Sequence, residues 1–413
     1  MKHTFLFIML LLSFRITVAQ TRKLSVGQGG WLTERSATSS NTRKFIFGIW
    51  GIPRYNAIHN KSKFTNSDLA KSKASFATYG KEFDLIFTHS EYIKDYMSDQ
   101  IIMTGSSEFS YMFKDYLKRT DNGYVDGKPL NMEKLAKAYG SGMLNTTMSN
   151  GFDYLRGQFN KKKDWTYIWA PIDEVVSWPP SLIKALYQTA KKQGSNLVYC
   201  DLLGSGKANS YTTRYQKINV RKSTNETSYI NSWTENIKKV AREYSNCGDI
   251  YGVNAYGEFY ADPILAGKAV DGIKAALGSN VPVWLWFDPV GYAKPRNVGL
   301  QQYIQNVKCQ IYTSIVHGAT GVLLYNDLRK SPSDFDAFYP VLKELKQNST
   351  LFYFPNVEYG SNGHLHFCIK KDPTSGEKFA IVTNTSKTQN LSFLYAKNSK
   401  ILKPLEVYIS KVR

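Results

Sequence analysis

Residues 300–327, LQQYIQNVKCQIYTSIVHGATGVLLYND, carry the pattern that decides the fold. Ile304, Val307, Ile311, Ile315 and Val316 recur mainly at spacings of three and four, which gathers them on one stripe of a helix over 300–317. The Gly318-Ala319 step ends that helix, because glycine leaves helical geometry most readily. Val322 to Tyr325 then form an unbroken apolar run, as a strand covered on both faces requires, and the run closes on Asn326 and Asp327. A helix feeding directly into a buried strand is half of a repeating βα unit.

The same alternation extends backwards to residue 45 and forwards to 347. Apolar, β-branched or aromatic runs predict strands over 45–50, 84–88, 100–104, 166–170, 197–201, 250–254, 283–287 and 321–325. Amphipathic stretches predict helices over 91–97, 131–139, 181–192, 233–244, 263–276, 300–317 and 332–346. Eight strands with interleaved helices favour a closed (β/α)8 barrel over an open doubly wound sheet, whose first strand leads into a phosphate-binding glycine loop. No such loop follows Trp50. Beyond 347 the helical period stops. Short strand-like runs there are separated by the turns Ser361-Asn362-Gly363 and Asp372-Pro373-Thr374-Ser375-Gly376, the pattern of an antiparallel, sandwich-like β domain. The expected organisation is a leader over 1–19, a barrel over 20–347 and a β domain over 348–413.

The leader is read from Lys2, the apolar run of residues 5–12 and the small-residue exit Thr17-Val18-Ala19, features of a signal peptide cleaved near Ala19. Its apolar core is shorter than the ~20 residues that cross a bilayer. The expectation is therefore an exported, periplasmic or secreted monomer without an integral membrane segment. Hydrophobic residues make up 42% of the chain and aromatic residues 14%, which excludes disorder and supplies a large core. Cys200, Cys247, Cys309 and Cys368 stand far apart, without the spacing of a zinc or redox motif, so most are expected to be reduced and buried. The net charge is +20. With no nucleic-acid-binding motif in the chain, that charge has two readings: attraction to an acidic polysaccharide or envelope, or a lysine-rich surface that serves solubility.

In a barrel of this kind, functional side chains gather where the strands end. Trp50 and Arg54 follow the first predicted strand, and His89 the second. The fourth runs through Trp169 into Asp173 and Glu174, with Trp178 beyond. Asp201 ends the fifth; Asn254, Tyr256 and Glu258 follow the sixth; Trp286 and Asp288 end the seventh; Asn326 and Asp327 follow the eighth. Glycosidic cleavage needs one carboxylic acid to protonate the leaving oxygen and a second carboxylate, or an internal nucleophile, to meet the developing cation. Adjacent like charges in an aromatic setting raise at least one carboxyl pKa, as a general acid at neutral pH requires. Glu174 could equally start a helix near its positive end. Trp50, Trp169, Trp178, Tyr256 and Trp286 are candidate sugar platforms, and Arg54, His89, Asp201, Asn254, Asn326 and Asp327 candidate hydrogen-bonding groups.

The Asp173-Glu174 pair resembles the hexosaminidase-type (β/α)8-barrel glycoside hydrolases, and residues 310–327 are similar to the last helix and strand of many barrel glycosidases. That resemblance implies Glu174 as acid/base and Asp173 as the residue that orients a substrate acetamido nucleophile. Ala170-Pro171-Ile172 replaces the His-x-Gly-Gly prefix of some hexosaminidases. The larger retaining clan has Asn-Glu after strand four and Glu after strand seven, where this chain has Asp-Glu and Asp288. The second carboxylate thus stays open between Glu258 and Asp288. The implied activity is hydrolysis of a polysaccharide or glycan with no metal or organic cofactor. The other class is a non-catalytic glycan-binding barrel of the cell envelope.

Lys207, Arg214, Lys217, Arg221 and Lys222 crowd the segment after the fifth predicted strand, with no acid between Lys207 and Lys222. Exposed charges act at long range and are screened beyond roughly 8 Å at physiological salt. Neutralising Arg214, Lys217 and Arg221 together is expected to raise KM for a sulfated or uronic-acid polymer and flatten its salt dependence. The kcat on a small neutral aryl glycoside should stay unchanged. Identical KM and salt response in both proteins would make the charge a solubility feature.

Overall fold

The computed structural model describes residues 23–36, 39–50, 65–88, 100–105, 166–171, 180–194, 197–202, 226–291, 293–326 and 335–412, with a few isolated positions between 153 and 175. The expected leader and the predicted helices over 91–97 and 131–139 lie outside the described residues. The chain begins with an antiparallel meander of β1 (Lys23–Val26), β2 (Leu32–Ser36) and β3 (Ser39–Lys44), which the apolar periodicity did not reveal. Next come eight parallel strands: β4 (Ile46–Trp50), β5 (Leu85–Thr88), β6 (Ile101–Gly105), β7 (Ile168–Ala170), β8 (Leu197–Asp201), β9 (Ile250–Val253), β10 (Val283–Phe287) and β11 (Gly321–Tyr325). They close in sequence order, with β11 pairing back onto β4. This is the (β/α)8 barrel expected from the sequence.

Strand side chains alternate between two cores. Ile46, Leu85, Met103, Ile168, Tyr199 and Leu323 fill the barrel interior. Phe47, Ile86, Val198, Val253, Leu285 and Leu324 face the helices outside. Interior space is allotted by pairing large residues with glycine. Tyr199 stacks on Trp284 at 6.2 Å, and a Cβ on Gly252 would overlap the Tyr199 hydroxyl. A Cβ on Gly321 would stand 2.6 Å from the Trp284 ring. The meander closes the barrel at the amino ends of the strands. Leu32 is fully buried in the interior cluster, and the Gly29 N–H donates to Asn280 Oδ1 at 2.9 Å, just before β10.

Outside the barrel lie α1 (Asn66–Tyr79), α2 (Pro180–Gln193), α3 (Glu226–Glu243), α4 (Tyr256–Ala261), α5 (Ile264–Leu277), α6 (Leu300–Val316), α7 (Tyr339–Gln347) and α8 (Ser349–Phe352). Three of these depart from expectation, among them the single turn α8 beyond residue 347. The α1 sequence, NSDLAKSKASFATY, carries too few apolar residues for a clear stripe, and α4 is a short helix set into the loop after β9. No helix among the described residues is long and apolar enough to cross a membrane. All four cysteines are unpaired and buried.

The β domain consists of β12 (Asn356–Asn362), β13 (Leu365–Lys371), β14 (Lys378–Asn384) and β17 (Val407–Val412) in that order, with a hairpin of β15 (Leu391–Tyr395) and β16 (Asn398–Leu402). Ile369, Val382, Phe393 and Leu402 form its core. It docks on α6, where the Thr313 hydroxyl donates to Thr383 Oγ1 at 3.1 Å and Gln305 Nε2 donates to the Leu405 carbonyl at 2.8 Å. At the end of α6, His317 Nδ1 meets Asp271 Oδ1 at 2.8 Å, and its Nε2 meets His366 Nδ1 at 3.1 Å.

His366 is fully buried in this junction. Burial first, then the neighbouring His317 and Lys268 charges, hold its imidazole well below its ordinary range, while Asp271 opposes. The folded chain therefore takes up this proton later than the unfolded chain, whose imidazole titrates near pH 6.5. The associated stability is full above about pH 6.5 and declines as pH falls through that value towards the folded pKa. The urea midpoint is expected to drop between pH 7.5 and 5.5, with a flatter profile in His366→Phe. An equal slope in the two proteins would remove His366 as the cause.

Candidate active site at the barrel mouth

The alternation that fills the barrel also decides what reaches its mouth, because the inward rows continue to the carboxyl ends of the strands. They end in Trp50, Phe87, Asp201, Asn254, Trp286 and Tyr325. Trp50 and Tyr325 sit side by side in register on β4 and β11 and stack with centroids 5.0 Å apart and planes 3° apart. Tyr256, at the start of α4, stacks on the same Tyr325 at 5.6 Å and 29°. From other strands of the barrel, Phe87 and Trp286 meet at 6.0 Å and 58°. Flat rings of this kind offer apolar faces to a ligand, and indole also supplies a donor at its edge.

Polar groups stand among these rings. Asn254 and Trp286 are 7% and 6% exposed, and neither Asn254 Oδ1 nor Trp286 Nε1 has a partner among the described residues. An unsatisfied buried polar group costs about 1–3 kcal/mol, so these two atoms suit a ligand that brings hydroxyls. Asp201 continues the inward row of β8 and is buried beside them.

The two candidate second carboxylates differ sharply. Glu258 lies in the first turn of α4, and its Oε2 is buried without a partner among the described residues. Burial pushes its carboxyl pKa up, opposed by a hydrogen bond from its own backbone N–H. Desolvation disfavours the charged form, which favours a protonated carboxyl. Asp288 is fully engaged instead. Its Oδ1 accepts the Val290 N–H at 3.1 Å, and its Oδ2 accepts the Ala293 N–H at 2.7 Å and the Tyr303 hydroxyl at 2.6 Å. Through these bonds Asp288 fastens the loop after β10 to α6. The platform expectation for Trp169 is corrected. It projects outward between Ile168 and Ala170, into the core between strands and helices, and cannot serve as a platform in the mouth.

Asn326 is buried at the end of β11, where its N–H donates to the Trp50 carbonyl at 2.9 Å. Arg54, His89, Asp173, Glu174, Trp178 and Asp327 lie outside the described residues. Phe87 and Tyr325 belong to the mouth and were missed by sequence reasoning, although their parity with Leu85 and Leu323 is a signal that could have found them. Among the described residues no three His, Cys, Asp or Glu side chains gather as metal ligands would.

Fold and mouth together define a barrel protein with an aromatic, partly unsatisfied cleft and an appended β domain. No protein-family description matches the chain, and no curated protein is similar to it in sequence. Among solved structures it is similar to an α-amylase from Geobacillus thermoleovorans complexed with acarbose, with a TM-score of 0.52 and 11% identity over 90% of this chain and 99% of that one. A cyclic α-maltosyl-(1→6)-maltose hydrolase from Arthrobacter globiformis gives 0.47 and 8% identity over 89% and 99%. The carboxyl transferase domain of Rhizobium etli pyruvate carboxylase gives 0.38 and 8% over 78% and 50%. At such identities the likeness to the amylase establishes the barrel fold and leaves the reaction to the residues of the mouth.

The structural role of Asp288 is open to test. Asp288→Asn and Tyr303→Phe are each expected to lower unfolding stability, with a coupling of about 1.5–3 kcal/mol for a hydrogen bond to a charged group. Strictly additive losses in a urea double-mutant cycle would mean that the 2.6 Å contact contributes nothing.

Proposed function

We propose that the chain is a glycoside hydrolase that cleaves a polysaccharide or glycan at the barrel mouth. The observation that carries this reading is the Trp50–Tyr325–Tyr256 stack together with Asn254 Oδ1 and Trp286 Nε1, which have no partner among the described residues. Pyranose rings present apolar faces to aromatic planes and hydroxyls to polar atoms around them, and this mouth offers both.

In this reading Glu258, whose carboxyl pKa burial pushes up, donates its proton to the leaving glycosidic oxygen. The opposing charge comes from the Asp173-Glu174 pair that follows β7, with Glu174 as nucleophile or base, or with Asp173 orienting an acetamido group as in the hexosaminidase type. This exchanges the acid role that the sequence pattern gave Glu174, for a physical reason: a general acid needs a raised pKa, and Glu258 has one. An acidic glycan is the favoured substrate class because of the cations between Lys207 and Lys222, and the leader makes the enzyme an exported one.

The assignment is tested with aryl glycosides of differing leaving group. Glu258→Gln should lower turnover of a poor leaving group by about 10²–10⁴-fold and spare an activated one, whereas Glu174→Gln should slow both. The reverse pattern would return the acid role to Glu174. Tight glycan binding with no turnover by the wild-type protein would establish the non-catalytic binding barrel instead.

A further inference from the structure

Two of the buried polar atoms without partners among the described residues belong to α3, the helix against which the element carrying Glu258 packs. Tyr229 is 8% exposed and Trp233 6%, and neither the Tyr229 hydroxyl nor Trp233 Nε1 meets an acceptor among the described residues. They stand one turn apart in the first half of α3. The Trp233 ring packs edge-on against Phe259, the residue next to Glu258, at 6.4 Å and 74°. The start of α3 and the short helix α4 are therefore packed together, with two orphan donors on one and an orphan carboxyl oxygen on the other. Donors and acceptors that are buried singly are costly, yet here they occur on neighbouring elements and are complementary in kind.

We propose that Tyr229 is a positioning residue for Glu258, whose hydroxyl donates a hydrogen bond to the Glu258 carboxylate once that carboxylate has lost its proton. The inference rests on the reading of Glu258 as the acid. In the transfer step, the Glu258 O–H bond breaks and its proton passes to the glycosidic oxygen. The electron pair of that O–H bond stays on the carboxylate, and the bond between the anomeric carbon and the leaving oxygen breaks. The new carboxylate forms in a desolvated place, where a preorganised donor has its largest effect. Tyr229 keeps its own proton throughout, because burial first, then the charges of Glu258 and Asp262, push its phenol far above the ordinary range.

Among the described residues the charged surroundings are few. Asp262 closes α4 and acts on Tyr229, as Glu258 does. Lys387, reaching from the β domain, donates to the Tyr260 carbonyl at 2.6 Å and feels the Asp262 charge, as does Cys309 on α6. Burial is the largest influence on Glu258 itself, followed by its own backbone N–H. A donor that serves only the ionised carboxylate therefore lowers its pKa, and removing that donor raises it.

The test titrates the pair from both sides in the whole chain, with selective 13C labelling of Glu carboxyl and Tyr ζ carbons. Tyr229→Phe keeps the ring and its packing. It is expected to move the Glu258 titration, and the basic limb of kcat/KM with it, upward by about one pH unit and to lower kcat about tenfold on a poor leaving group. In the wild type the Tyr229 ζ-carbon resonance should follow the Glu258 titration, and in Glu258→Gln it should lose that step. A Glu258 titration unmoved in folded Tyr229→Phe, or a Tyr229 resonance flat across it, would overturn the proposal. The two resonances are read without turnover, so a protein that hydrolyses nothing would defeat the proposed function while still deciding the Tyr229–Glu258 contact.

Discussion

The burial of α6 on both faces is the constraint on which the rest of the arrangement depends. One side of this helix lies against the barrel and the other against the β domain, so its buried residues run around most of its circumference, Asn306, Gln310, Thr313 and Ser314 included. A helix buried all round must satisfy its polar side chains within the protein. Gln310 Nε2 donates to Asn306 Oδ1 at 2.6 Å, Asn306 Nδ2 to the Tyr260 carbonyl at 3.3 Å, and Thr313 to Thr383 at 3.1 Å. The same helix reaches both ends of the barrel. Tyr303, near its start, holds Asp288 at the mouth and stacks on Tyr260 of α4 at 5.1 Å. At its other end, His317 joins Asp271 to His366 of the β domain. The β domain thereby steadies the mouth through α6 and α4, without any need to reach the cleft itself.

Two carboxylates that follow neighbouring strands illustrate how environment separates structure from chemistry. Asp288 accepts three hydrogen bonds, which fix its geometry. Glu258 has a buried oxygen without a partner and a raised pKa. The first arrangement fastens a loop; in the second, burial shifts the balance towards the protonated carboxyl. Asn254, Glu258 and Trp286, whose buried atoms lack partners among the described residues at about 1–3 kcal/mol each, all follow or end strands at their carboxyl ends, where a barrel builds its sites. By contrast, the amino ends are closed by Leu32 and the meander.

A barrel shared with an amylase at 11% identity is what packing alone would preserve. The interior asks for volume and alternation, and many sequences meet that demand. The reaction depends instead on a handful of polar atoms at the rim, where each position is set by the loop that carries it.

The sequence by itself determined the layers. Apolar period and strand length are local properties, so β8, β10 and β11 occur at the expected residues, and all of Ile304, Val307, Ile311, Ile315 and Val316 are buried. Parity was legible as well: with Ile168 and Ala170 inward, Trp169 had to face out, and with Trp284 inward, Trp286 had to reach the mouth. What only the tertiary structure decided was partnership. Nothing in the apolar pattern near residue 288 announces Tyr303 as its donor. The meander escaped notice because its strands are short and polar, and α1 because its sequence carries no clear apolar stripe. Periodicity reports which face of an element is dry, whereas the state of a carboxyl depends on atoms that the folded chain brings from far away in sequence.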